Sequence, residues 1–107
     1  MRRNLALLLA ALALVAAACG RGDDFWFDGD FSAATSLAKQ NGSLVMLAFE
    51  TDWCIWCDRM DREVYSDPEV RAALDGVVAL KLDAERGGKS LAARYGVESY
   101  PTIVFTD

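Results

Sequence analysis

The chain has 107 residues, 53% hydrophobic and 25% charged, which suits a single small domain with its own core. It contains no histidine, so the commonest metal ligand and the commonest general base are both absent. The formal charge is −5, and Arg2 and Arg3 lie in the first 18 residues, so the remainder is more acidic still; with no basic stripe there is no nucleic acid partner, and the acidity reads as a solvated surface.

Met1-Arg2-Arg3-Asn4 is a short positive start, Leu5 to Val15 is almost all Leu and Ala, and Ala16-Ala17-Ala18 lead into Cys19. That order predicts a secretory signal peptide over residues 1–18. The apolar stretch is shorter than the ~20 residues a membrane-spanning helix needs. The segment resembles the signal peptide of bacterial lipoproteins, in which a cysteine after a small residue is lipidated and becomes the new N-terminus. Ala16 stands where those signals usually carry leucine. The resemblance implies lipidation at Cys19, with a lipid bilayer as partner and an extracytoplasmic, membrane-anchored location. Ordinary cleavage near Ala18 is the alternative and leaves Cys19 as a free thiol. Residues 19–30 read as a tether, polar and acidic apart from Phe25-Trp26-Phe27, an aromatic trio that suits a first edge strand.

Asp30 is placed to cap a helix starting at Phe31, with Phe31, Ala34 and Ala38 on one face and Asn41-Gly42 as its stop. Leu44 to Phe49 is a continuous apolar run, expected as a strand buried on both faces. A helix is expected from about Cys54 to Tyr65, with Trp56, Met60 and Val64 turned to the core and Asp58, Arg59, Asp61, Arg62 and Glu63 in water. Ser66-Asp67-Pro68-Glu69 starts a short helix that ends near Asp75-Gly76. Val77 to Leu82 is the next strand, closed by Asp83, and Arg86-Gly87-Gly88 is a turn. Leu91, Ala92 and Tyr95 form one side of another short helix stopped by Gly96, and Thr102 to Thr106 is a last strand entered through Tyr100-Pro101. Strands alternating with helices predict an α/β domain over residues 31–107 with parallel pairing.

The chemistry concentrates in Thr51-Asp52-Trp53-Cys54-Ile55-Trp56-Cys57-Asp58, where strand gives way to helix. Two cysteines three apart at a first helical turn can close a small disulfide ring, or present one sulfur outward while shielding the other. The positive end of the helix and its unpaired N–H groups stabilise a thiolate there and lower its pKa.

From about Phe31 to Thr106 the chain resembles the thioredoxin superfamily, in particular extracytoplasmic thioredoxin-like proteins such as the C-terminal domain of thiol:disulfide interchange proteins. The residues that carry the likeness are Asp52-Trp53-Cys54-Ile55-Trp56-Cys57, the strand ending in Asp83, Ala93-Arg94-Tyr95-Gly96-Val97 and Tyr100-Pro101-Thr102. The resemblance implies a thioredoxin-like fold, a mixed central sheet flanked by helices. It implies Cys54 as the attacking cysteine, Cys57 as the resolving one, a redox-active 54–57 disulfide, and Pro101 as a cis-proline aligning a substrate strand. Sequence alone makes the Tyr100–Pro101 bond trans, since cis X-Pro bonds are a small minority. Trp53, Trp56 and Tyr100 are expected to offer an apolar surface to the substrate, a protein or peptide disulfide. An extracytoplasmic or membrane protein would supply the electrons, and no cofactor is implied.

The chain departs from the family at several positions. Ile55-Trp56 replaces the Gly-Pro of thioredoxin, which leaves the direction of electron flow open, and Ala48 stands where thioredoxin has a buried acid, a place that Glu50 or Asp52 could take. The chain stops at Asp107, where the family runs on into an antiparallel edge strand and a C-terminal helix; the expectation is an incomplete domain with an open edge at residues 102–106, or one completed by dimerisation. Two other readings stand beside the enzyme. A Cu(I) chaperone is compatible with two soft thiolates, and a lipoprotein whose 54–57 disulfide is only structural is the other. A zinc site lacks its second half within one chain.

Overall fold

The computed structural model describes residues 24–107. The expected signal peptide, Cys19 and the first residues of the tether lie outside the described residues.

Local signals start and stop the helices. Helix α1 (Phe31–Asn41) is capped by Asp30, whose Oδ1 accepts from the Ala33 N–H at 2.8 Å, and it ends at Gly42, whose φ of 64° is the left-handed conformation glycine adopts without a Cβ clash. After the first strand, β1 (Val45–Glu50), comes α2 (Ile55–Glu63), with Cys54 as its capping residue. Helix α3 (Pro68–Ala73) has Pro68 in its first turn and Asp67 as cap, accepting from the N–H groups of Glu69 and Val70. Strand β2 (Val78–Asp83), helix α4 (Lys89–Arg94) and strand β3 (Thr102–Thr106) complete the described order.

The three strands lie in the order β2-β1-β3. Strand β1 is central and buried over Val45 to Phe49, as its unbroken apolar run predicts. It pairs parallel with β2, Val45 opposite Val78 and Glu50 opposite Asp83. It pairs antiparallel with β3, Val45 opposite Thr106 and Phe49 opposite Thr102. The sheet is therefore mixed, as the family resemblance implies, and the parallel pairing expected from the strand–helix alternation is that of β1 with β2. After α4 the chain crosses to the far side of β1 and runs back along it, a path set by long-range packing.

The sheet has two packed faces. Val45, Leu47 and Phe49 meet Ala34 and Ala38 of α1, Ala92 of α4, and Val78 and Leu80 of β2. Met46 and Ala48 meet Tyr65, Ala79 and the half-buried Met60, Val64 and Leu74. Phe25 and Trp26 also join this second cluster. Trp26 bridges Ala79 in parallel at the outer edge of β2, and the Phe27 N–H donates to the Ala79 carbonyl at 2.7 Å, so the end of the expected tether packs on the domain. Ile103 and Phe105, opposite Ala48 and Met46, are exposed, and β3 pairs only with β1 among the described residues. No helix of the described residues is long and apolar enough to cross a membrane.

Candidate active site

Strand β1 delivers the chain to one end of the sheet, a short turn over Thr51–Trp53 follows, and α2 begins. Cys54 sits at the helix N-terminus with its backbone still extended, and its Sγ accepts the Cys57 N–H at 3.1 Å. The sulfur thus takes the place of a capping oxygen, at the end of the helix where partial positive charge favours an anion. Cys54 and Cys57 are joined by a disulfide with their Cα atoms 5.2 Å apart. Of the two arrangements open to such a pair this is the closed ring, and both residues are buried in it, Cys54 4% and Cys57 3% exposed. The bond ties both sulfurs together beneath the turn.

Exposure belongs instead to the neighbours: Trp53 is 67%, Ile55 72% and Trp56 60% exposed. Trp56 does not face the core. The buried side of α2 runs through Cys57, Met60 and Val64. Trp56 instead lies under the Arg59 guanidinium at 5.6 Å and shares a groove with Met60, Val64 and Pro101. The Tyr100–Pro101 bond is cis. Tyr100 meets the Trp53 ring edge-on, with centroids 6.0 Å apart and planes at 81°. The two cysteines are therefore joined covalently, Trp53 is brought to Tyr100, and Trp56 is brought to Pro101.

Two sets of polar partners carry no local sequence signal. Above the site, the Trp53 indole N–H donates to Glu85 Oε1 at 2.8 Å, and Asp52 pairs with Arg86 at 2.8 Å. Below Cys57, on the second face, Lys81 Nζ bonds Asp61 Oδ1 at 2.7 Å and lies 4.6 Å from the centre of the Trp26 ring. Asp61 is therefore half-buried and engaged, not free in water. Glu50 ends β1 in this neighbourhood. Burial pushes its carboxyl above the ordinary carboxylate range; Lys81 pulls it back, and Asp61, Asp83 and Asp58 add to the rise. Burial, with help from Asp61 and Glu50, pushes the Tyr65 hydroxyl up to about 12. Among the described residues no group of three or more His, Cys, Asp or Glu side chains is arranged to hold a metal ion.

Residues 26–107 match the family model described as thioredoxin-like. The chain belongs to the thioredoxin-like family. The thiol:disulfide interchange protein DsbD of Cronobacter sakazakii is 39% identical over 75 residues, which take in 67% of this chain and 13% of that protein. The chain spans 12–13% of the length of the first such interchange proteins it matches. Among solved structures, a thioredoxin from Thermus thermophilus superposes with a TM-score of 0.66 at 34% identity, over 75% of this chain and 62% of that one. The oxidised C-terminal domain of DsbD from Neisseria meningitidis superposes with a TM-score of 0.54 at 26% identity, over 73% of this chain and 74% of that one.

Proposed function

We propose that this chain is an extracytoplasmic thiol-disulfide oxidoreductase that reduces protein or peptide disulfides through Cys54 and Cys57. The observation that carries the reading is the bridged pair at the start of α2, with Cys54 Sγ as the acceptor that caps the helix. The likeness to proteins named for thiol:disulfide interchange supports the same chemistry.

In the reduced protein, placement at the positive end of a helix favours the thiolate form of Cys54, so the nucleophile is activated without a histidine. The thiolate attacks one sulfur of the substrate disulfide. That bond breaks, the leaving sulfur departs as a thiolate and takes a proton, and a mixed disulfide forms on Cys54. Cys57 then loses its proton and attacks Cys54 Sγ, which closes the 54–57 bridge and releases the second substrate sulfur. Two electrons pass to the substrate, and a dithiol electron-donor protein at the same location restores the pair. Glu50 is the better of the two carboxylates to receive the Cys57 proton: burial raises its basicity, whereas Asp52 is exposed and held by Arg86. Trp53, Tyr100, Trp56 and Pro101 form the surface on which the substrate lies. Residues 1–18 serve as signal peptide, Cys19 is the lipidated anchor, and residues 31–107 hold the redox domain.

A redox titration of the purified protein, read by thiol alkylation and mass, tests this. A reversible two-electron couple near about −270 mV is expected for a reductase, and one near about −120 mV would make it an oxidant. A pair that does not cycle but binds Cu(I) tightly would replace the enzyme with a metal handler. For the anchor, the mass of the N-terminal peptide from membranes is expected to show acyl chains on Cys19; a free thiol there would remove the lipoprotein reading.

A further inference from the structure

Trp53 is largely exposed, yet its ring is held on two sides. The indole N–H donates to Glu85 Oε1 at 2.8 Å, and Tyr100 meets the ring edge-on. The next residue is Cys54, so the setting of this ring decides what surface a polypeptide meets immediately beside the reacting sulfur. An exposed indole without a partner samples several rotamers, and a substrate docking on it must freeze them.

Glu85 stands on a braced turn. Its own N–H donates to Asp83 Oδ1 at 2.9 Å, the Ala84 N–H donates to the Glu50 carbonyl at 2.8 Å, and the Gly88 N–H donates to the Asp83 carbonyl at 2.7 Å. A Cβ on Gly88 would lie 2.8 Å from that same carbonyl oxygen, so the turn closes this tightly only with glycine there. Arg86, the neighbour of Glu85, holds Asp52, the neighbour of Trp53. That second link joins two exposed, flexible side chains and contributes little to holding the loop. The indole has a single donor, and its bond to a carboxylate is directional and charge-assisted. Glu85 is therefore the member of the turn that sets the ring.

From this juxtaposition we infer that Glu85 is a positioning residue for thiol-disulfide exchange. It latches Trp53 against Tyr100 as a preformed aromatic platform for the polypeptide segment that carries the substrate disulfide. The inference rests on the reading of Cys54 as nucleophile. Glu85 acts on docking through Trp53 and does not touch the reacting atoms.

The test uses the purified full chain with Glu85→Ala and Glu85→Gln, insulin as a polypeptide disulfide and hydroxyethyl disulfide as a small one. Loss of one such bond is expected to raise KM for insulin roughly three- to tenfold in Glu85→Ala, with kcat held. The rate with hydroxyethyl disulfide stays level, and the Trp53 indole N–H exchanges faster with solvent by NMR. Glu85→Gln keeps an oxygen acceptor and is expected to recover most of the KM. Unchanged indole exchange in Glu85→Ala would mean there is no latch in solution, and the inference falls. Faster exchange with an unchanged insulin KM would overturn the role in docking. Glutamine as impaired as alanine, or equal losses with both disulfides, would reassign the effect to charge near Cys54. A wild-type protein that reduces neither disulfide would sink the enzymatic reading and this inference with it, even with the indole bond intact.

Discussion

Val45, Leu47 and Phe49 point to one face of β1, while Met46, Ala48 and Glu50 point to the other. The first set meets alanines of α1 and α4 and the aliphatic side chains of β2. The second begins the same way, against Tyr65 and Ala79, and then runs into charge: Glu50, Lys81 and Asp61 lie toward the end where α2 brings Cys57. One strand thus serves two purposes. The apolar face holds the sheet to α1 and α4, and the other accepts half-buried charge beside a redox pair. Burying charge is costly, so that face is expected to contribute less to stability and to respond to pH.

The sharpest way to break this contrast is on the apolar side. Phe49→Ala empties a fully buried site and is expected to cost about 3–5 kcal/mol in chemical denaturation, the largest loss of the set. On the charged side, Lys81→Met removes the partner of Asp61 and the charge that restrains Glu50; a loss of about 1 kcal/mol at pH 7 is expected, and a gain would show that the ion pair only costs stability there. Glu50→Gln sharpens the comparison by sign. The folded carboxyl holds its proton above the ordinary value of 4.5, so wild-type stability falls as pH rises from there through the folded value, and the penalty is complete above it. The glutamine variant is therefore expected to be more stable than wild type at pH 7 and equal to it below about pH 4. Parallel stability curves for the two proteins from pH 4 to 7 would contradict this. The smallest effect is expected on the outer side of α2, away from both faces. Glu63→Ala removes an exposed i,i+4 pair with Arg59 and is expected to change stability by only about 0.3–0.5 kcal/mol, read as a small shift in the denaturation midpoint.

Features that depend on near neighbours in the chain were legible beforehand. Asp30 and Asp67 cap helices because a capping carboxylate reaches N–H groups two or three residues on. The apolar run of β1 reads directly as a strand covered on both faces. Trp56 misled because a four-residue period reports a helix but not which of its turns are covered, and at the first turn the buried position is Cys57. The antiparallel placement of β3 and the Lys81–Asp61 pair depend on how elements meet, and no local pattern encodes either. Glu85 carried no sign at all: it is 32 residues from Trp53, and an exposed glutamate in an acidic chain looks like solubility.

Cys54 Sγ caps α2, and in the proposed exchange the same atom reacts. A thiolate sulfur accepts a hydrogen bond better than a sulfur whose electrons are shared in a disulfide. Each electron pair taken from the donor therefore tightens the first turn of the helix, and each pair handed on relaxes it. Around the closed thermodynamic cycle of folding and reduction, whatever favours the reduced fold must also make the pair keep its electrons more firmly. A substitution that strengthens the start of α2 only when Cys54 is a thiolate would yield a sturdier reduced protein and a poorer reductant, so the potential of this chain is bounded by how firmly its own helix is allowed to begin.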